Sequence, residues 1–223
     1  HPDDPYNTFD WLMDVSEANN LKSAFYFICG CTDKARDADY EPDHPIIRSL
    51  MWRIHKRGHE IGLHPSYGTY QQSELIGQEA LRLKRICAEE GIEQDEWGGR
   101  MHYLRWEHPT TLRAWVDAGM DYDSTLGYAD RPGFRCGSCF DYPAFDPIAQ
   151  QKLMLRVRPL VMMECTVIDA VYLGFGVTEA AEEKIRLLKE RCRDVGGGFT
   201  ILWHNSYFFQ KGLREMYVRI LSC

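Results

Sequence analysis

The fold of this chain is indicated by the stretch Gly58-His59-Glu60-Ile61-Gly62-Leu63-His64, in which polar and apolar residues alternate as in a short β-strand that ends on a histidine. A second run, Phe199-Thr200-Ile201-Leu202-Trp203-His204, is rich in strand-forming residues and also ends on a histidine. In α/β barrels, side chains at the carboxyl ends of separate strands gather at one rim. We therefore expect His64 and His204 to lie at the same rim of an α/β fold.

Strand-like and helix-like segments alternate along most of the chain. Amphipathic segments closed by caps or glycines predict helices over residues 9–20, 45–58, 73–91, 110–119 and 178–195. Strands are predicted over residues 22–28, 99–106 and 121–126, and an extended stretch over 153–165 is broken by Pro159. This order predicts parallel strands joined by right-handed crossovers. No glycine-rich phosphate-binding motif follows a strand, which favours a distorted or incomplete barrel, in one domain over residues 1–223, over a nucleotide-binding open sheet.

Composition narrows the possible partners. A chain of 223 residues with 44% hydrophobic residues can bury a substantial core. The net charge of −7 argues against a nucleic-acid or anionic-membrane surface, because phosphate binding needs clustered Lys and Arg. No apolar run approaches the roughly 20 residues that span a bilayer. Localisation stays open between the cytoplasm and the cell envelope of a bacterium.

Eight cysteines are scattered along the chain, and Cys136-Gly137-Ser138-Cys139 is the one pair with Cys-x-x-Cys spacing. We expect most thiols to be reduced and structural. A thioredoxin-like pair would open a helix directly after a strand, whereas this one follows a loop that contains Pro132 and Arg135. A dithiol or zinc role for Cys136 and Cys139 remains an alternative interpretation.

Polar residues cluster where the predicted strands end. In a strand over 99–106, Arg100, His102 and Leu104 would share one face and the residues between them the other. Two or three imidazoles at one rim suit a divalent metal such as zinc, which lowers the pKa of bound water to about 7. A further histidine can protonate a leaving amine. We expect His59, which lies inside its strand, to be a core residue.

The motifs that carry these residues resemble those of the polysaccharide deacetylase family, the NodB-homology domain. The stretches over residues 22–28, 58–64 and 201–204 are similar to that family's second strand, metal-binding motif and C-terminal Leu-x-His motif, and Arg100-Met-His-Tyr103 stands where the family has Arg-x-Pro-Tyr. The resemblance spans residues 8–206 and implies a distorted (β/α)7 barrel that removes acyl groups from N-acetylated sugars with zinc or another divalent ion. It further implies that His64 is a metal ligand, that His204 is the general acid, and that Arg100 braces a catalytic aspartate.

Two positions depart from that family pattern. Gly68 stands where a second histidine ligand is expected, so either His102 replaces this ligand or the metal binds weakly or not at all. Asp3 and Asp4 precede a helix start and no strand comes before them, so we expect the catalytic aspartate and the first strand to lie upstream of His1; the alternative is that Asp3 or Asp4 serves as this aspartate.

The sequence thus predicts a metal-dependent hydrolase that deacylates N-acetylated sugars. The predicted site comprises His204 and Arg100 as catalytic residues, His64 and His102 as ligands of a divalent metal such as zinc, and Tyr67, Tyr103, Arg105, Asp123 and Arg135 as contacts to a carbohydrate substrate. The alternative is a metal-free barrel that binds glycans without catalysis, with tyrosine and tryptophan rings stacked on sugar faces.

Overall fold

A computed structural model describes residues 4–222 of the chain. Its internal contacts divide these residues into two compact units. The large-sheet unit comprises residues 24–126 and 141–158, and the small-sheet unit comprises residues 4–23, 127–140 and 159–222. Each unit is described by itself.

The large-sheet unit is built on six strands in the order β1-β2-β3-β4-β6-β5. The first five of these run parallel, and β5 pairs antiparallel with β6 at one edge. From β1 to β4 the spatial order follows the chain order, as in the wall of a barrel. The strands are β1 (Ala24–Phe27), β2 (Glu60–Leu63), β3 (Gly98–Gly99), β4 (Tyr122–Asp123), β5 (Tyr142–Asp146) and β6 (Gln151–Val157).

Three helices connect the parallel strands of this unit, namely α2 (Pro45–Lys56), α3 (Ser73–Glu89) and α4 (Thr110–Asp117). Proline at the first position of α2 is favourable because that backbone nitrogen needs no partner there, and His44 Nδ1 accepts a hydrogen bond from Ile46 N at 3.3 Å. Each helix buries one apolar face. The buried side chains include Met51, Ile54, Ile76, Leu83, Ile86 and Trp115, none of which is measurably exposed.

The small-sheet unit contains two paired parallel strands, β7 (Met162–Met163) and β8 (Ile201–Leu202). Its helices are α1 (Phe9–Ala18), α5 (Glu164–Ile168), α6 (Glu179–Asp194) and α7 (Leu213–Leu221). Thr178 caps α6 as predicted, because its hydroxyl accepts a hydrogen bond from Ala181 N. The apolar faces of α5, α6 and α7 meet in one cluster that includes Met162, Val167, Ile185, Leu213, Met216 and Ile220.

The expected barrel is not confirmed. Within residues 4–222 the strands form an open six-stranded sheet and a separate two-stranded sheet, and neither closes on itself. The five predicted helices are confirmed to within a few residues. No helix in the described part of the chain is long and apolar enough to cross a membrane.

The predicted strand over residues 99–106 is wrong. The paired strand β3 comprises only Gly98 and Gly99, and a 3-10 turn over His102–Leu104 follows. Tyr103 and Leu104 both adopt positive φ angles, of 57° and 52°. The expected alternation of side chains therefore does not apply to this segment.

Glycines make room for large rings on one face of the large sheet. A Cβ atom on Gly98 would lie 2.2 Å from the Tyr122 ring, and one on Gly62 would lie 2.5 Å from the Tyr26 ring. The two hydroxyls are 3.1 Å apart, and the Arg100 guanidinium lies 5.2 Å from the centre of the Tyr26 ring. This packing explains why small residues interrupt the histidine strand and its neighbour.

Candidate functional site

Strand β2 delivers His64 to the carboxyl end of the large sheet. The backbone N–H of His64 donates to Phe27 O at 2.8 Å, which continues the pairing of β2 with β1. Its Nδ1 lies 2.6 Å from the carbonyl oxygen of Arg100, so Nδ1 carries the proton and donates it to that oxygen. The Nε2 atom is thereby directed at the ring of His102.

His102 approaches His64 from a 3-10 turn, not from the strand that the sequence suggested. His102 Nδ1 lies 2.9 Å from His64 Nε2, and His102 Nε2 lies 2.8 Å from the carbonyl oxygen of Arg36. Because both outer nitrogens face carbonyl oxygens, two neutral rings would point lone pairs at each other. The contact therefore favours a proton shared between the two facing nitrogens, which gives the pair of imidazoles a positive charge.

Backbone strain next to His102 accompanies this contact. Left-handed conformations at residues other than glycine cost of order 1 kcal/mol or more and persist only when surrounding contacts impose them. Here the Met101 N–H donates to Thr125 Oγ1 at 2.9 Å, and the Arg100 N–H donates to Leu63 O at 3.0 Å. These long-range contacts override the extended preference of the segment.

A buried carboxylate holds the loop that follows His64. Glu79 accepts hydrogen bonds from Ser66 N at 3.0 Å and from the Ser66 hydroxyl at 2.5 Å, and burial raises the pKa of Glu79. At the position where the resembled family has its second histidine, Gly68 N donates to Thr32 Oγ1, and a Cβ atom on Gly68 would lie only 3.1 Å from Thr32 side-chain atoms. A histidine at position 68 would thus require Thr32 to move.

Three of the predicted substrate contacts lie together beside His102. The Arg105 guanidinium lies between the rings of Tyr67 and Tyr70, at 4.1 and 4.0 Å from their centres, and donates to Tyr67 O at 2.7 Å. Tyr103 meets Tyr67 and His102 edge-on, with ring centres 5.2 and 4.7 Å away. Tyr103 is 61% exposed, so this aromatic cluster presents one large ring to solvent next to the histidine pair.

Arg100 and Asp123 are buried instead of lining an open surface. Arg100 donates from Nε to Ser124 O at 2.8 Å and from Nη2 to Ser124 Oγ at 2.9 Å, and burial lowers its pKa. Asp123 accepts hydrogen bonds from Thr125 N at 2.9 Å and from Trp106 Nε1 at 3.1 Å, and burial raises its pKa to about 6. Both side chains fix the loops at the carboxyl ends of β3 and β4.

In the small-sheet unit, His204 follows β8 and is held by Glu164, a residue that sequence reasoning missed. Glu164 Oε1 accepts hydrogen bonds from His204 N at 2.9 Å and from His204 Nδ1 at 2.5 Å. The carboxylate is completely buried, whereas the His204 side chain is 45% exposed. This contact fixes the Nδ1–H tautomer and stabilises the imidazolium when the ring is protonated.

The other oxygen of Glu164 is also informative. Oε2 is buried and finds no hydrogen-bond partner within residues 4–222. A buried polar atom without a partner is costly, so its presence calls for an explanation other than stability. In the sequence, Glu164 could have been recognised as the single acidic residue in the apolar run Val161-Met-Met-Glu-Cys-Thr-Val-Ile168.

Tyr207 and Arg135 complete the polar surroundings in this unit. Tyr207 donates to Asp169 Oδ2 at 2.5 Å, and its ring centre lies 5.9 Å from that of His204. Arg135, a predicted substrate contact, is exposed and donates to Gly127 O at 3.0 Å. Tyr128 lies 6.0 Å from its guanidinium.

The catalytic aspartate and the divalent metal both stay predictions. Asp4 is exposed and accepts a hydrogen bond from Tyr6 N at 2.9 Å, whereas Asp3 lies outside the described residues. Within residues 4–222 no group of three His, Cys, Asp or Glu side chains is arranged to hold a metal ion. His64 and His102 supply two nitrogens, so a catalytic zinc ion held by them would need at least one further protein ligand. The expected meeting of His64 with His204 stays a prediction.

Comparisons with known proteins identify the fold but not a family. No family model matches the chain, and no curated protein matches it. Among solved structures, it is similar to a crystal structure from Mycobacterium smegmatis that is provisionally assigned as a polysaccharide deacetylase, with a TM-score of 0.66 and 18% identity. The match covers 98% of this chain and 72% of that one. The chain therefore shares the α/β fold of that protein over nearly its whole length.

Proposed function

We propose that this chain is a hydrolase that removes acyl groups from the nitrogen of N-acetylated sugars. The observation that carries the proposal is the pairing of the half-exposed His204 with the fully buried Glu164, in a chain that folds like a provisionally assigned polysaccharide deacetylase. A buried carboxylate behind an accessible imidazole is the arrangement that general acid catalysis uses.

In the proposed reaction, a water oxygen forms a bond to the acyl carbon, the C–N bond breaks, His204 donates the proton that the departing amine needs, and the acyl group leaves as a carboxylate. Since Nδ1 is hydrogen-bonded to Glu164, the proton leaves from Nε2. Glu164 stabilises the charged imidazolium before the transfer and keeps the ring in one orientation. Its second oxygen, which finds no partner in the described residues 4–222, is what a carboxylate retained for this task despite its cost in stability would show.

The aromatic cluster of Tyr67, Tyr70 and Tyr103 is proposed to bind the carbohydrate. The apolar faces of sugar rings pack on exposed aromatic rings, and Tyr103 offers such a ring at 61% exposure. Arg105 holds Tyr67 and Tyr70 in place from between their rings. Arg135 is proposed as a further contact to the same class of substrate.

A divalent metal, zinc among the candidates, is retained as a proposal with His64 and His102 as two of its ligands. The facing nitrogens, His64 Nε2 and His102 Nδ1, are the ones that carry the lone pairs of the neutral rings. When bound, such an ion would acidify a water molecule. Metal analysis of the purified protein and of its His64→Ala variant tests this part, and it fails if neither wild-type protein nor protein incubated with divalent ions retains metal.

The direct test is acetate release from chitooligosaccharides and peptidoglycan fragments. Wild-type protein should release acetate, His204→Ala should lose most of this activity, and His55→Ala, a histidine on α2, should keep it. A preparation that folds and binds these glycans but releases no acetate at any divalent ion concentration supports the second candidate, a glycan-binding protein. That alternative is favoured by the absence of a three-ligand group within residues 4–222.

A further inference from the structure

Two buried cysteines of the small-sheet unit lie against each other. Cys139 lies in the loop before β5 and Cys192 in the last turn of α6, and both belong to one buried cluster with Val161. A hydrogen bond joins the two thiols, and neither takes part in a disulfide. The sequence had drawn attention only to the pairing of Cys139 with Cys136.

The glycine turn after α6 fixes the positions of both cysteines. Gly197 N donates to Cys192 O at 2.8 Å, and Gly198 N donates to Cys139 O at 2.9 Å. A Cβ atom on Gly197 would lie 2.2 Å from Cys139 Sγ, so the sulfur fills the space that this glycine leaves open. The backbone thus holds the two thiols together.

We propose that Cys139 and Cys192 form a reversible disulfide that ties the loop over residues 127–140 to α6. In the presence of a low-molecular-weight disulfide, the Cys139 thiolate attacks one of its sulfurs and releases one thiol. The Cys192 thiolate then attacks the mixed disulfide at Cys139 and releases the second thiol. Two protein thiols become one disulfide, and the small disulfide is reduced to two thiols that take up the two protons.

Burial sets the order and the speed of these steps. Cys139 is 7% exposed and Cys192 is 1% exposed, so Cys139 is the sulfur that a small disulfide reaches first. Burial raises the pKa of Cys192 to about 12, which makes its thiolate scarce and the exchange slow at neutral pH. Slow formation and high stability are typical of a buried structural disulfide.

The test uses the full chain, incubated with oxidised glutathione, alkylated, digested and analysed by mass spectrometry. The expected product is a peptide pair that joins residues 139 and 192, lighter by two hydrogen atoms and separated again by dithiothreitol. The link closes a loop of about 50 residues and should raise the midpoint of thermal unfolding by roughly 5–10 °C. Cys165→Ser, which removes another buried thiol of the same unit, should leave the link intact, and Cys192→Ser should abolish it.

The peptide map of the wild-type protein decides the outcome even if Cys192→Ser fails to fold. A link between Cys139 and Cys136 in place of the predicted one, or full alkylation of both Cys139 and Cys192 after prolonged oxidation, overturns the proposal. Neither result depends on deacetylase activity, because the inference rests on the contact between the two thiols alone.

Discussion

Replacement of Glu164 by glutamine tests the proposed acid most sharply. The variant keeps the shape of the side chain and an oxygen that can accept from His204, but it removes the negative charge behind the ring. Of the two hydrogen bonds on Oε1, only the one from Nδ1 changes strength between the charged and the neutral ring. A hydrogen bond between charged groups exceeds a neutral one by about 1.5–2 kcal/mol, which corresponds to a decrease in kcat of about 10- to 30-fold on the alkaline side of the pH profile, where the protonated fraction of His204 limits the rate.

The assay is acetate release as a function of pH. His204 must be protonated to act as an acid, and Glu164→Gln destabilises the protonated ring, so the alkaline limb of the kcat profile should move to lower pH while KM changes little. Glu182→Gln, at a partly exposed carboxylate that pairs with Arg219 in the same unit, is the matched control and should leave the profile unchanged. A folded Glu164→Gln protein with wild-type kcat and an unmoved alkaline limb would refute the reasoning.

Three further predictions concern the large-sheet unit. Burial raises the pKa of Asp123 to about 6, above its unfolded value, so the native state binds the proton more tightly. The free energy of unfolding should therefore fall by about 2–3 kcal/mol as pH rises from about 4 to about 6. Chemical denaturation at several pH values should show this decrease, and Asp123→Asn should lack it. Gly98→Ala should lower the free energy of unfolding by about 1–3 kcal/mol, because its Cβ would meet the Tyr122 ring. Gly77→Ala, inside α3 with open space around it, should raise the free energy of unfolding by up to about 1 kcal/mol. Equal effects of the two substitutions would contradict the close contact between Gly98 and the Tyr122 ring. Tyr103→Ala should weaken binding of chitooligosaccharides by about 3- to 10-fold in calorimetry. Phe145 on β5 carries a similarly exposed ring, and Phe145→Ala should leave this binding unchanged. Equal affinities of the two variants would show that Tyr103 does not contact the carbohydrate.

Local patterns predicted five of the seven α-helices in residues 4–222, and they missed α5 and α7. The helix α3 was expected to begin at Ser73 and to end at Gly91, and it spans Ser73–Glu89. The glycine adopts a φ of 67°, which an L side chain rarely adopts, so the stop signal has a direct physical cause. The cap at Thr178 was also predicted correctly, because capping depends on residues only three apart in sequence.

Contacts between distant residues limited the prediction of the strands and of the barrel. The segment after Gly99 was expected to stay extended, but hydrogen bonds from His102 to Arg36 and from Met101 to Thr125 turn it. Pairing partners, and hence whether a sheet closes, depend on such long-range contacts, which periodicity within a short window does not contain. The antiparallel strand β5 was missed for the same reason.

The candidate site was predicted unevenly. His64 and His102 were expected to lie close together, and their nitrogens are 2.9 Å apart. Asp123 was expected as a substrate contact but is buried, and Arg100, expected to brace a catalytic aspartate, is buried in contacts with Ser124. Glu164 was missed because its extended, apolar neighbourhood suggested a strand, and only the structure brings it 2.5 Å from His204, 40 residues further along the chain.

The central claim is that this chain hydrolyses an N-acyl bond of a sugar with His204 as the proton donor. Its most direct test is the acetate released from chitooligosaccharides by wild-type and His204→Ala proteins whose unfolding midpoints agree. The account predicts turnover by the wild-type protein and a loss of at least about 100-fold in the variant. Equal acetate release by the two proteins, or glycan binding by the wild-type protein without any release, would contradict it.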